Sequence, residues 1–509
     1  MTNPDSTYAK PFLTVPAQIH RLRERGMDCQ SGAFATAVLE RYGYYRLSGY
    51  WHLYRELPLE PESRTDEDGR EIRLDTFIQG TNLPHVVELY DFDHMLRTKL
   101  GEALSTIEIS LRYFIGHRLG RADKFAHRKP QVLGAMRDAA PDGPSEPKTS
   151  YADWLTEYDR HEKRARDAFV LHFRRKYGPH LPIWVATEVM SFGVLSNLYT
   201  LMPQIDQEIL AARLQVNTAD GKGDRGAMAN WLNSLRHVRN ICSHYGRIWN
   251  RTFDVVIDAP GQARKDSTDH LAALVDTAVS NKLYGVLLIV RHLLLSIAPD
   301  RNDALEIAQF IAERAKTVRF DLDQLGFPEG WEDEEIWEAD FTLSRSPMRA
   351  ASLLDRVETY TAVEARSALT AAEVAEPDKA RSEPEWERAL KAAQRKLLRT
   401  YLHHNVLIEI ELGGARHYPA FQFRDGKIIE ALAEINQTLF GHCEGADSAE
   451  TAEALLDWWQ TPNADLPTAS DGSMRAPADL LATIAEADFD LAIEKSEAMT
   501  TFRGPESPE

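Results

Sequence analysis

The chain is poor in cysteine. Its 509 residues hold three, Cys29, Cys242 and Cys443, each more than 200 positions from the next. That spacing supplies neither a disulfide framework nor a zinc-ligand set, and it suits a reducing compartment. Long apolar runs are scarce too. The longest, Leu283–Ala298, is broken by Arg291 and His292 and is too short to cross a bilayer. The opening MTNPDSTYAKPF lacks the apolar segment of a signal peptide. The expectation is a cytoplasmic protein that makes no use of a membrane. No internal repeat is visible. Gly-x4-Gly-Lys-[Ser/Thr], His-Glu-x-x-His, Cys-x-x-Cys and Gly-x-Ser-x-Gly are all missing, which removes phosphate-loop, zinc-protease, dithiol and serine-hydrolase chemistry. The run Gly221–Gly226 (GKGDRG) has the wrong spacing for a phosphate loop, and His403 and His404 are adjacent, so their side chains diverge.

What is present is an ordinary globular balance, 43% hydrophobic and 27% charged, in a length that suggests about three domains. The charge is uneven. Residues 1–320 carry 42 Lys and Arg against 40 Asp and Glu, a net of +2, whereas residues 321–509 carry 17 against 38, a net of −21. Solubility accounts for an acidic surface. So does a basic surface for it to face, on this chain or another.

Apolar spacing predicts a mainly α protein. Two short helices and an aromatic segment, Tyr42–Trp51, occupy residues 11–57. Thr81-Asn82 caps a long helix with Pro84 in its first turn. Its stripe runs through Leu89, Phe92, Leu96, Leu100, Ala103, Ile107, Leu111 and Phe114, in steps of three and four. Residues 128–150 hold four prolines and read as a loop. Helical patterns follow at about 151–177, 183–200, 226–249, 268–298 and 302–316. With no strands between them, residues 12–337 form a helical bundle. Residues 342–384 read as a linker. A small α+β domain spans 385–487, with strands at Val406–Leu412 and His417–Phe423 around Gly413-Gly414, and helices at about 427–440, 449–460 and 477–487. An acidic tail, 488–509, ends the chain.

Chemistry concentrates in Asn230–Arg251, NWLNSLRHVRNICSHYGRIWNR. At about 100° per residue, Trp231, Leu235, Val238, Cys242, Tyr245 and Trp249 fall on one line, the core stripe. Arg236, Asn240, Ser243, His244 and Arg247 fall opposite, with Arg239 on the flank. Gly246 is placed to end or kink the helix. Histidine titrates near neutrality and suits proton transfer. Arginine grips phosphate and stays charged. Together they provide what RNA cleavage needs: a group to move a proton and one to stabilise charge on phosphorus. A basic helix face is also, more commonly, just surface. On the long helix Arg97, Glu108 and Arg112 project within about 60° of one another. Glu108 and Arg112 form an i,i+4 pair, more in keeping with an orienting role than a catalytic one. Asp91 and Asp93 point about 200° apart and make no metal site. The tyrosines of 42–54 suit base stacking, or a core.

These motifs carry a resemblance. Arg239-Asn240-x-x-x-His244 is similar to the Arg-x4–6-His signature of HEPN-superfamily ribonucleases, and RNICSHYGRIWNR resembles the signature of the Abi-like, abortive-infection family of bacterial phage-defence proteins. The same family has segments like Gly43-Tyr44-Tyr45-Arg46-Leu47-Ser48-Gly49-Tyr50. It has others like Leu89-Tyr90-Asp91-Phe92-Asp93-x3-Arg97 with Ile107-Glu108-Ile109-x-Leu111-Arg112, and like Gly326-Phe327-Pro328 with Trp331. The four motifs cover about residues 12–337. The resemblance implies a HEPN-like helical bundle acting as a homodimer, with two Arg-x4-His motifs at one cleft. It implies a metal-independent endoribonuclease, with no cofactor, that leaves a 2′,3′-cyclic phosphate and a 5′-hydroxyl. His244 is then the general acid/base, Arg239 the phosphate ligand and Asn240 the group that orients them. Arg236, Arg247 and Arg251 are RNA contacts, and Arg97, Glu108 and Arg112 lie behind them. A HEPN-fold module that binds RNA or protein without cutting is the alternative.

The C-terminal domain resembles the toxin-binding domain of Xre/MbcA/ParS antitoxins through Tyr418-Pro419-Ala420-Phe421-Gln422-Phe423, Trp458-Trp459-x-Thr461-Pro462-Asn463 and Ala476-Pro477-Ala478-Asp479-Leu480-Leu481. That implies a fused regulator in a toxin–antitoxin arrangement, with a separate antitoxin protein or small RNA as further possible partners. A net of −14 over residues 401–509 argues against DNA binding by this part.

Overall fold

The computed structural model describes residues 11–60, 63–65, 71–134, 150–219, 223–261, 269–343, 353–354, 357–369, 383–412, 415–443, 448–464, 466–468, 473–483 and 502. Gly413-Gly414, most of the expected loop at 128–150 and the acidic tail other than Phe502 lie outside them. The protein is mainly α, with a small C-terminal unit that contains the sheet. Among the described residues, no helix is long and apolar enough to cross a membrane.

The body opens with α1 (Val15–Glu24), α2 (Gly32–Tyr42) and α3 (Tyr44–Trp51), so the aromatic segment is itself a helix. Its centre is α4 (Leu83–Ala122), about 60 Å long. The Asn82 side chain accepts the His85 N–H at 2.9 Å, and Pro84 costs no hydrogen bond in the first turn. The predicted stripe from Leu89 to Leu111 is buried throughout, with Phe114 at its margin. Around it pack α5 (Tyr151–Arg164), α6 (Ala168–Tyr177), α7 (Ile183–Ala186), α8 (Phe192–Leu201), α9 (Gln204–Arg213), α10 (Ala227–Ser243), α11 (Thr277–Ser280), α12 (Leu283–Ile297) and α13 (Asp303–Val318).

Three patterns read as single helices are broken. At 151–177 the break falls at residues 165–167, where Arg174 takes the Ala165 carbonyl at 3.2 Å. At 183–200 the pattern splits into α7, a 3-10 turn and α8, with Ser191 capping the last. At 268–298, Asp269 and Asp276 each restart the chain by accepting backbone N–H groups from Leu271 (3.0 Å) and Ala278 (2.8 Å). The longest apolar run is α12, which is buried along nearly its whole length. Its Arg291 is buried as well and donates to the carbonyls of Ile336 (3.0 Å) and Glu338 (2.8 Å) and to Asn302 (2.7 Å). Burial lowers its pKa, and these acceptors fasten the acidic 331–338 segment over the core.

The C-terminal unit holds α14 (Ala362–Ser367), α15 (Glu383–His403), α16 (Glu430–Gly441), α17 (Ser448–Gln460) and α18 (Pro477–Thr483). Its antiparallel sheet has the order β1-β3-β2, from β1 (Thr359–Thr361), β2 (Ile410–Leu412) and β3 (Ala415–Pro419), with Tyr360 opposite Tyr418 and Glu411 opposite Arg416. A separate hairpin, β4 (Phe423–Arg424) and β5 (Lys427–Ile428), turns at Asp425-Gly426. Both turn residues have positive φ, 48° and 80°, as a tight two-residue hairpin requires. The strand expected at His417–Phe423 is therefore cut by a 3-10 turn at Ala420–Gln422. The expected linker differs as well. Within 342–384, β1 and α14 belong to the C-terminal unit, and Leu353 and Leu354 are buried in its core with Ile410, Leu432, Leu455 and Trp459. Ile209 and Ala212 of α9 join that core, so the body and the small domain share apolar packing.

Candidate functional site

The site grows from the end of α10. Trp231, Leu235 and Val238 are fully buried, as the stripe predicted. The helix then stops at Ser243, short of the expected end near 249. Gly246 N–H donates to the Ile241 carbonyl at 2.8 Å and Tyr245 N–H to Cys242 at 3.2 Å. This crossed pair closes a helix with a left-handed residue just past its end. That residue is Tyr245, at φ 57°. A bulky side chain there costs roughly 1–2 kcal/mol, and glycine is the usual occupant. The glycine stands one position later, where an added Cβ would lie 2.9 Å from the Ile241 side chain. The break changes two assignments. Tyr245 leaves the core and is 63% exposed, while Trp249 is buried from the turn and stacks on Tyr50 at 6.3 Å. His244 is exposed at the helix end, its N–H donating to the Asn240 carbonyl at 2.9 Å.

The turn that carries His244 is clasped by α3 and α4. Arg46 donates to the Tyr245 carbonyl at 2.7 Å, Arg97 to Gly246 at 3.4 Å, and Arg247 to Gly49. Beneath them Asp93, wholly buried, accepts from the Tyr50 hydroxyl at 2.6 Å, from the backbone N–H groups of Ile248 at 3.1 Å and Trp249 at 2.7 Å, and from Arg97. Burial pushes the Asp93 carboxyl up, and Arg97 and the donors pull it back. All its partners are donors, so the carboxylate form satisfies every one. The same burial, with Asp93 beside it, raises Tyr50, and desolvation pushes the Cys242 thiol up to about 12. Cys242 is thus no nucleophile at neutral pH.

A second cluster lies farther along α4. Arg239, 38% exposed, has its Nε 3.4 Å from Glu108, which also pairs with Arg112 at 2.7 Å. Arg112 in turn donates to the Met190 carbonyl at 2.9 Å. The trio Arg97, Glu108 and Arg112 is therefore divided. Arg97 serves the clasp, and Glu108, itself paired with Arg112, holds Arg239, about 16 Å up the helix. Arg236 binds Asn233 at 2.7 Å along α10, and its stem lies against Gly193 of α8. Arg247 and Arg251 are half-buried, and Arg247 is turned toward α3. Asn240 is half-exposed between Arg239 and the helix end. In the sequence alone Asp93 is half of a false metal pair with Asp91. Its role needs three elements to meet, which no local spacing reveals.

Fold and site together define a mainly α protein in which two motifs, some 200 residues apart, close on one helix end that bears an exposed histidine. Residues 37–250, which hold the first motif and nearly all of the second, match the model of the Abi-like protein family. The match ends at Asn250, immediately after the clasped turn. It places the protein with abortive infection, a form of phage defence. No curated protein and no solved structure matches the chain.

Proposed function

We propose that the protein is an abortive-infection endoribonuclease of the HEPN type that cuts RNA without a metal. The observation that carries this reading is the exposed His244 at a helix end fixed by buried charge, five residues after Arg239. His244 takes the proton of the attacking 2′-hydroxyl or returns one to the departing 5′-oxygen. Arg239 balances charge on the non-bridging oxygens, and Asn240 orients the pair. The O2′–P bond forms as the P–O5′ bond breaks, which leaves a cyclic phosphate and a 5′-hydroxyl. Five positions on a helix separate Arg239 from His244 by about 140°. That favours a cleft completed by a second copy, with one chain's arginine near the other's histidine.

The C-terminal domain acts as a regulator in this scheme. Arg118 pairs with Asp206 at 2.6 Å, and Arg118 and Arg121 donate to the Leu354 carbonyl at 3.2 Å and 3.1 Å. His244 stays exposed with the domain docked so, and restraint would therefore come from blocking a second copy or a large substrate. The pairing of Arg239 with Glu108 supports one rival, an RNA- or protein-binding module that does not cut. The test sets His244→Ala and Arg239→Ala beside wild type, for growth arrest and for RNA cleavage in EDTA. Cleavage lost in both variants supports the enzyme. Variants indistinguishable from wild type leave the binding module.

A further inference from the structure

We infer that Tyr245 and Tyr45 form a nucleobase-stacking station beside His244, so that the site takes single-stranded RNA with the bases flanking the scissile phosphate laid on these rings. The inference rests on the ribonuclease reading and adds to it the residues that position the substrate.

Three observations converge. Tyr245 holds a left-handed backbone, φ 57°, at the position where a helix end ordinarily has glycine. The fold gains nothing visible from the ring, which is 63% exposed and outside the core. A strained residue that the scaffold does not need points to use by a ligand. Tyr45 on α3 is 77% exposed, and its neighbour Arg46 donates to the Tyr245 carbonyl at 2.7 Å, which ties the two tyrosine-bearing segments together at the histidine. Polar and cationic side chains stand close by: Arg46 and Ser48 donate to the Tyr245 and Tyr45 carbonyls, and Ser243 and His244 precede Tyr245. A protein partner would ask for apolar neighbours around such rings. Cations beside exposed aromatics suit a strand whose phosphates take the charges and whose bases take the rings.

The strain gives the test its edge. In a full-length His244→Ala background, Tyr245→Gly and Tyr245→Asn supply residues that tolerate the left-handed backbone. A melting temperature within a few degrees of the parent, or higher, is expected. Affinity for a short labelled single-stranded RNA should fall about ten-fold, the effect of losing one stacked base. Affinity for an abasic strand of the same length should not change. Tyr45→Ala should behave like Tyr245→Gly. Equal affinity for the intact strand overturns the inference while leaving the ribonuclease reading in place, and so does an equal loss on both strands. A change of oligomeric state in place of RNA affinity also overturns it and assigns the rings to self-association. A parent protein that binds neither strand and a wild type that cuts no RNA would remove both readings.

Discussion

The two ends of α4 use buried charge differently. Near its start, Asp93 and Arg97 are fully enclosed, and each ties to the backbone of the 246–249 turn. About 30 Å further on, Arg118 and Arg121 reach out of the body to the Leu354 carbonyl, and Arg118 also pairs with Asp206 of α9. The first end fixes a turn of the body to the body. The second joins two units that each have a core of their own, with α9 shared between them. A buried ion pair contributes little net stability, because desolvation offsets the attraction, but it is costly to break. The clasp therefore reads as a device for position, and the joint as one that can be opened without unfolding the site.

Breaking the clasp should have the largest effect. Asp93→Ala leaves Arg97 buried without its counter-ion and two backbone N–H groups without an acceptor, and should cost roughly 3–5 kcal/mol in denaturant unfolding. RNA cleavage should go with it, even where the protein remains folded at low temperature.

Acid should act on the joint end first. His127, in the turn after α4, is buried with neither ring nitrogen hydrogen-bonded, and desolvation lowers it to about 3. His417 on β3 is lowered to about 4 by burial and then by Arg118. Both are neutral in the folded protein. The unfolded chain takes up a proton at each as pH falls below about 6.5, so stability is full above that value and declines toward 4 and 3. At pH 5 the loss is about 2 kcal/mol for each histidine. Hydrogen exchange at pH 5 against pH 7 should show residues 118–127 and 415–419 losing protection before 46–50 and 245–249. The reverse order would break the comparison.

Loosening the joint should have the smallest effect on stability, about 1–2 kcal/mol for Arg121→Ala, which removes a hydrogen bond to the Leu354 carbonyl and leaves the buried Arg118–Asp206 pair in place. It should raise RNA cleavage if the C-terminal domain restrains the body, and leave it unchanged if the domain recruits a partner.

The sequence made some of this legible and left the rest hidden for physical reasons. The stripe of α4 and the first half of α10 follow from periodicity, because burial of one helix face is a local pattern. The end of α10 does not. It depends on a crossed pair of hydrogen bonds at Tyr245 and Gly246, with a tyrosine in a glycine's place. Extending the helix put Tyr245 in the core, where the structure has it exposed, and gave Trp249 the right environment for the wrong reason. Helix α3 was obscured by Gly43, Gly49 and four aromatic residues, all weak helix formers, which tertiary packing on α4 overrides. Strand β1 was hidden in a stretch of linker-like composition, since its partner β3 lies more than fifty residues away. The motifs at Gly43–Tyr50 and Arg239–Arg251 were visible as text. That Arg46, Arg247 and Asp93 would lock them together was not.

The most direct measurement is the chemistry of the cut ends. Wild-type protein incubated with RNA in EDTA should yield fragments with 2′,3′-cyclic phosphate and 5′-hydroxyl termini, and His244→Ala should yield none. Fragments with 5′-phosphate ends, or cleavage that survives the loss of His244, would contradict the account.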